Sequence, residues 1–204
     1  MLKRTSISYI NQLLENNSNW KILDVGCGFR AHKCASVLAD VKDFSKIYID
    51  KKFVLIKDKK LPFKDKEFDF VIASHVIEHI EDFEFFIKEL QRVSSKGYIE
   101  LPSRLGDNLV FENRTDHIWW FRFDDISNQL IASKKNQILA PFITVSLAKI
   151  LEDIFRESLV IELIWENKIE YKIDDKLKEY NFEKVSFWKI LRKYLSKRIR
   201  SIFK

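Results

Sequence analysis

Cysteine is nearly absent: Cys27 and Cys34 are the only two in 204 residues. A disulfide scaffold or a four-cysteine zinc site needs more, so neither is expected and both thiols are read as reduced. The chain lacks any apolar run approaching the roughly eighteen residues of a membrane span. Met1 to Ile10 has neither the apolar core nor the small-residue cleavage site of a signal peptide, so a cytoplasmic location is expected. In that setting the triplets Asn16-Asn17-Ser18 and Asn113-Arg114-Thr115 are read as chance matches to a glycosylation signal. No internal repeat is present, which excludes a solenoid.

What is there is the balance of a globular protein, 46% hydrophobic and 32% charged residues. The length suits one domain over 1–204, with a cofactor-binding core at 20–101, a covering insertion at 102–140 and a tail at 185–204. The net charge of +6 is unevenly spread: residues 187–204 hold seven Lys or Arg and no acid, which leaves the rest near neutral. That argues for a local partner of the tail and against a basic groove, so nucleic acid is not the expected partner.

Periodicity places the elements. Ile7, Ile10, Leu13 and Leu14 predict a helix over Ser6 to Asn16. Lys21 to Val25 reads as a buried strand stopped by Gly26-Cys27-Gly28. Short apolar runs at Ser36–Ala39, Phe53–Ile56, Phe68–Ala73 and Gly97–Leu101 read as further strands of one sheet. Glu81 to Val93 puts Phe83, Phe86, Ile87, Leu90 and Val93 on one helical stripe, with acids at its N-terminal end. Alternation of strands and helices predicts an α/β fold, a doubly wound, Rossmann-like and mostly parallel sheet with helices on both faces. Ligands of such sheets bind beyond the carboxyl ends of the strands. An irregular insertion over that face is expected from Pro102 to Lys135, around Trp119-Trp120-Phe121, and a hairpin over 159–173 turning near Glu166 to Lys168.

A strand ending in Asp24 and turning through two glycines lets backbone N–H groups approach a ligand, while the carboxylate can accept from a ligand ammonium. Gly26-x-Gly28-x-x-Ala31 also satisfies a relaxed dinucleotide fingerprint, with Asp50 downstream, so a nicotinamide-dependent oxidoreductase remains an alternative. The wider pattern is more specific. It consists of Ile22-Leu-Asp-Val-Gly-Cys-Gly28, Asp58-x-x-Leu-Pro-Phe63, Phe68-Asp-Phe-Val-Ile-Ala-Ser-His-Val-Ile-Glu-His79, Glu89-Leu-Gln-Arg-Val93 and Gly97-Tyr-Ile-Glu-Leu-Pro102.

In order and spacing these blocks resemble the bacterial class I methyltransferases of the type 11 group, across roughly residues 20 to 135. The resemblance implies S-adenosyl-L-methionine as cofactor and methyl transfer to a small-molecule or glycan acceptor. It implies that Asp24, Gly26 and Gly28 hold the methionine portion, with Cys27 in the same cofactor-binding loop, that an acid ending the second strand takes the ribose hydroxyls, and that Asp58 lies beside the adenine amino group. Leu61, Ser74 and His75 belong to the same blocks and join the cofactor-binding set. For the ribose acid, Asp40 fits a branch in which a short link replaces the first helix, with Tyr48-Ile-Asp-Lys-Lys-Phe-Val54 leading into the third strand. Asp50 is the alternative if Ala31, Cys34, Ala35 and Leu38 form that helix. Arg30 stands where the family's third glycine is usual.

Methyl transfer from a sulfonium needs positioning above all, with a general base if the acceptor is a hydroxyl. His75, His79 and His117 are the catalytic candidates, and His117-x-Trp119-Trp120-Phe121 also resembles the family branch. An equal reading of His117 is a histidine packed among aromatics and satisfied by a backbone carbonyl. The three aromatics could wall an acceptor pocket or simply pack. His75-Val-Ile-Glu-His79 formally matches an inverted zinc-peptidase motif, but it follows directly on an apolar strand, and no metal ligand is assigned.

In the tail, Trp188, Leu191, Leu195, Ile199 and Ile202 recur at spacings of three and four, flanked by Phe187, Tyr194 and Phe203, among the seven cations. A basic amphipathic helix of this kind can lie on an anionic membrane surface, or dock its stripe on the domain with the cations in water. The first reading makes the protein peripheral at the inner face of the membrane and the acceptor a lipid-linked or glycan precursor. It also admits a non-catalytic membrane-associated module that keeps the fold.

Overall fold

The computed structural model describes residues 1–137, 139–174 and 186–202. Ser6 caps the first helix, α1 (Ile7–Asn16), its side chain accepting the N–H of Tyr9. The buried face of α1, Ile10 and Leu14, packs on Ile22, Leu38, Phe70, Ile72 and Tyr98. These residues alternate with Leu23, Val25, Val71, Ala73 and Ile99, which point to the opposite face. There α2 (Phe83–Val93) presents Phe83, Phe86, Ile87 and Leu90 to the sheet, started by an Asp82 cap on the N–H of Phe85. The two faces are thus each covered by a helix, which the near-continuous apolar runs of the strands require.

The sheet has seven strands in the order β1 (Leu2–Arg4), β9 (Val160–Glu166), β6 (Lys96–Pro102), β5 (Phe70–Ser74), β2 (Ile22–Val25), β3 (Val37–Asp40) and β4 (Lys52–Leu55). The run from β6 to β4 is parallel, and β9 is antiparallel to both β6 and β1. It is the expected α/β architecture.

Two expectations for local structure change. The segment after β6 is largely regular: α3 (Arg104–Leu109), α4 (Asn113–Asp116) and a six-residue hairpin of β7 (Trp119–Asp124) with β8 (Gln129–Lys134). The alternation is hidden because Trp119, Trp120 and Phe121 are all buried. The chain does turn at Asn167, with φ of 64°, but no hairpin follows. β9 enters the large sheet, while β10 (Tyr171–Ile173) pairs in parallel with β8 to complete a second, three-stranded sheet. Phe83 joins the two layers, its ring 4.8 Å from Trp119, 5.7 Å from Phe121 and 5.5 Å from Tyr171.

α5 (Val145–Leu159), kinked at Phe155, leads directly into β9. The tail forms α6 (Phe187–Ile202), on which Phe187, Trp188, Ile190, Tyr194 and Leu195 are exposed. Phe203 lies outside the described residues. Among the described residues, no helix is long and apolar enough to cross a membrane.

Candidate active site

The carboxyl ends of β2, β3, β4 and β5 open onto one cleft of about 1000 Å³. Val25 and Gly26, Asp40 to Lys42, Ile56 to Lys59, and His75 with Val76 line it from the strand tips. Ile80 to Asp82, Phe85 and Phe86 close it from the start of α2. This is where an open parallel sheet presents backbone groups to a ligand.

The loop after β2 owes its shape to two glycines in the left-handed region, Gly26 with φ of 70° and Gly28 with φ of 49°. A Cβ on Gly26 would fall 2.4 Å from Cγ2 of Val76, so the β2 and β5 tips approach as closely as a bare backbone allows. The N–H of Gly26 donates to the carbonyl of Ala39 at 2.7 Å, and that of Gly28 to the Asp40 carboxylate at 3.0 Å. Asp40 also accepts the N–H of Lys42 at 2.9 Å, fixing the next turn of the rim.

Residues 26–36, between β2 and β3, are turn and loop, as the short-link branch expects. Two side chains hold the link, and sequence reasoning missed both. Tyr48 donates its hydroxyl to the carbonyl of Gly28 and accepts the N–H of Ala31, at 2.9 and 3.0 Å. The Lys51 ammonium reaches the carbonyls of His32, Lys33 and Ala35 at 2.9–3.1 Å. Asp50, the alternative ribose ligand, is exposed in the turn before β4.

Asp24 is buried beneath the link, accepting the N–H of His32 at 2.7 Å. Burial raises its pKa to about 7, against the opposing effects of that hydrogen bond and the Lys51 charge. Burial and the neighbouring Asp24 and Asp40 push the Cys27 thiol up to about 12, which makes it inert. Asp58 is exposed on the rim, whereas Leu61 is buried at the wall. Asp24, Cys27, Gly28, Ser74 and His117 are not among the residues that line it. Phe29 and Phe44, edge to face at 4.8 Å, are cleft aromatics that sequence reasoning missed. No periodic signal distinguishes them from core phenylalanines.

The loop from Asp58 to Phe63 is clamped from α2. Glu89 accepts the N–H of Leu61 at 2.8 Å, and Arg92 donates to the carbonyls of Leu61 and Phe63 at 2.9 and 2.7 Å. Burial opposes the Glu89 charge, but the Arg92 guanidinium holds its carboxyl below the usual range.

His75 has φ of 54° at the tip of β5. Its Nε2 lies 3.0 Å from Glu100 and its Nδ1 3.3 Å from Glu78. Burial disfavours the imidazolium, but the two carboxylates outweigh it and raise the pKa to about 10. Glu100 is in turn held at about 2, despite burial, by His75, Tyr98 and Arg156. At neutral pH His75 is therefore a cation with both nitrogens engaged, unsuited to act as a base.

His79 lines the cleft, its Nδ1 2.9 Å from the carbonyl of Asp116. His117 packs edge to face on it at 4.4 Å. The partner of His117 is a carboxylate and not the backbone carbonyl of the packed-histidine reading: Nδ1 of His117 faces Asp107, which also receives Trp120 Nε1 and Lys135 Nζ, these two at 2.7 Å. No pattern in the chain announces Asp107. Trp119, Trp120 and Phe121 pack in the interior and do not wall the cleft.

A mostly parallel sheet with a cleft across its carboxyl edge defines a cofactor-binding α/β domain. Residues 23–99 match the model of a methyltransferase domain family, that of type 11. An uncharacterized protein of Methanocaldococcus jannaschii is 32% identical over 119 residues, covering 52% of this chain and 50% of the relative. The chain thus spans about half the length of the curated relative it matches. Among solved structures, a protein of Pyrococcus horikoshii has a TM-score of 0.43 at 18% identity, covering 80% of this chain and 93% of that one. A possible histamine N-methyltransferase of Thermotoga maritima has a TM-score of 0.44 at 14% identity, covering 73% and 83%.

Proposed function

We propose that the chain binds S-adenosylmethionine in this cleft and transfers its methyl group to a small-molecule or glycan acceptor. The observation that carries the reading is convergence: the matched family segment puts Gly26, Asp40, Asp58 and Leu61 around one cleft, with the buried Asp24 next in sequence to its lining residue Val25. In this reading Asp24 and the loop N–H groups take the amino acid portion, Asp40 the ribose, and Asp58 the adenine edge. Phe29 and Phe44 offer faces against which a purine can pack. The reaction is a displacement at carbon in which the acceptor atom gains the methyl group as the carbon–sulfur bond breaks, leaving its electron pair on sulfur. His75 positions the tip of β5. Among the three candidate histidines, His79 borders the cleft with Nε2 available to act on the acceptor.

A nicotinamide enzyme would need a helix N-terminus after the glycine loop to receive a pyrophosphate. The loop and turn at 26–36 do not supply it. Thermal unfolding with S-adenosylhomocysteine or NAD separates the two. Ligand at about 100 times its dissociation constant stabilises by roughly 2.7 kcal/mol, a shift of a few degrees. A shift with S-adenosylhomocysteine alone is expected; a shift with NAD alone would overturn the reading. Binding without transfer to any offered acceptor would favour the non-catalytic module.

The exposed apolar side chains of α6, beside its cations, favour an acceptor met at an anionic membrane surface over docking of the helix on the domain.

A further inference from the structure

Glu78, His79 and His117 meet at the end of the cleft. Glu78 and His79 lie on a single 3-10 turn (Ile77–His79), and His117 caps the C-terminal end of α4. The turn and the start of β7 are tied by the N–H of Ile118, which donates to the carbonyl of Glu78 at 2.9 Å. One ligand atom from each of the three residues lies within 4.8 Å of the others.

Two features of this group are unexplained by packing. The first is Glu78, fully buried: Oε1 has an ion-pair contact with Nδ1 of His75 at 3.3 Å, and Oε2 has no hydrogen-bond partner. A carboxylate taken out of water needs partners that restore what hydration supplied. The second is the orientation of both imidazoles. Nδ1 of His79 faces the Asp116 carbonyl, which can only accept. Nδ1 of His117 faces the Asp107 carboxylate, which already accepts from Trp120 and is paired with Lys135. In the neutral tautomer each Nδ1 therefore holds the proton and each Nε2 the lone pair. A backbone carbonyl or carboxylate behind a histidine is how proteins fix the tautomer of a metal ligand.

We propose that Glu78, His79 and His117 form a site for a divalent transition metal ion of the zinc class. Two imidazoles and one carboxylate suit zinc and not magnesium, which prefers oxygen ligands. Zinc bonds of about 2.0–2.1 Å in a tetrahedron put ligand atoms about 3.4 Å apart, so the three groups close by roughly an ångström on binding. Glu78 is then shared between the ion and the His75 ring, whose other nitrogen stays on Glu100. Three protein ligands leave a coordination position open, and of the three His79 lines the cleft.

The chemical consequence rests on the methyltransferase reading. A hydroxyl oxygen of the acceptor coordinates at the open position, where the ion lowers its pKa and its proton passes to water. That oxygen forms a bond to the methyl carbon as the carbon–sulfur bond breaks and its electron pair stays on sulfur. The role given to His79 is exerted through the ion, and the acceptor class is a hydroxyl compound.

The test uses the full chain stripped by a chelator, titrated with zinc chloride by calorimetry and with cobalt(II) followed by visible absorption. One zinc per chain is expected, with cobalt bands of a low-symmetry site. Affinity should fall at least 100-fold in both His79→Ala and Glu78→Gln, and 10- to 100-fold in Asp107→Asn, which keeps all three ligands. Because His79 is exposed, His79→Ala keeps the test readable if either buried variant fails to fold. Zinc bound no more tightly by the native chain than by His79→Ala, or a cobalt spectrum of the hydrated ion, would overturn the site. S-adenosylhomocysteine titrated into the same samples separates the premises. Metal without it supports the site and removes the methyltransferase reading; S-adenosylhomocysteine without metal does the reverse.

Discussion

Glu89 on α2 receives the backbone N–H of Leu61, 28 residues earlier in the chain, at 2.8 Å. Two separate sequence blocks, the Asp58 to Phe63 loop and the Glu89 to Val93 turn of helix, are thereby one structural unit, with Arg92 bonded to the carbonyls of Leu61 and Phe63. Glu89→Ala orphans the Leu61 amide and leaves Arg92 without its closest charge. It is expected to lower stability by about 2–4 kcal/mol in urea denaturation. Weakened S-adenosylhomocysteine binding by calorimetry should accompany it, since Asp58 rides on the same loop. Asp65→Ala removes only the exposed partner of Arg92 and should cost under about 1 kcal/mol. Equal losses in the two variants would show that the clamp is not organised through Glu89.

Asp24 gives a pH signature. Its folded pKa, raised by burial to about 7, exceeds the ordinary aspartate value of 3.8. Folding therefore takes up a proton between those values. The associated stability is fully present below pH 3.8 and is lost as pH rises through about 7. A ligand ammonium at Asp24 favours the ionised form, so S-adenosylhomocysteine affinity should rise with pH up to about 7 and then level. At pH 6, calorimetry in buffers of different ionisation enthalpy should detect proton release on binding, lost in Asp24→Asn. No release in the native protein would mean that Asp24 stays buried and neutral behind the cleft.

The two loop glycines are expected to respond differently to alanine. Gly28→Ala meets open space and carries only the left-handed backbone cost, about 1–2 kcal/mol. Gly26→Ala adds a Cβ 2.4 Å from Val76 Cγ2, an overlap worth about 1–3 kcal/mol more. Val76→Ala in the same chain should recover most of that second part and none of the first. Chemical denaturation of the native chain, Gly26→Ala, Val76→Ala and the double variant forms a double-mutant cycle, and a coupling near zero would contradict the contact.

The cofactor half was the legible half. Lys21 to Gly28 announces itself because a strand buried on both faces must be apolar, and a turn with positive φ must use glycine. What escaped was everything decided by a distant partner. Leu2 to Arg4 has no local strand signal and pairs only because β9 lies beside it, 163 residues on at Leu2 and Trp165. Trp119 to Phe123 does not alternate cleanly, because Trp120 is buried as well as its neighbours and its indole donates to Asp107. The same limit applies to the site: Gly26 and Asp58 sit in readable blocks, but Asp107, Tyr48 and Lys51 act through contacts that no spacing encodes.

The tail yields a prediction independent of the cleft. On α6 the exposed Trp188, Tyr194 and Leu195 lie among basic residues, and Arg192 and Lys193 are exposed. On an anionic surface each such cation is worth about 1 kcal/mol, and the apolar side chains add burial. Arg192→Gln with Lys193→Gln should therefore weaken sedimentation with phosphatidylserine vesicles by roughly 30-fold at about 0.1 M salt, with little effect on thermal stability. Trp188→Ala should weaken it without changing its salt dependence, because it removes area and not charge. If the native chain does not sediment with these vesicles, the membrane-bound acceptor loses its support while the cleft and its cofactor reading stand untouched.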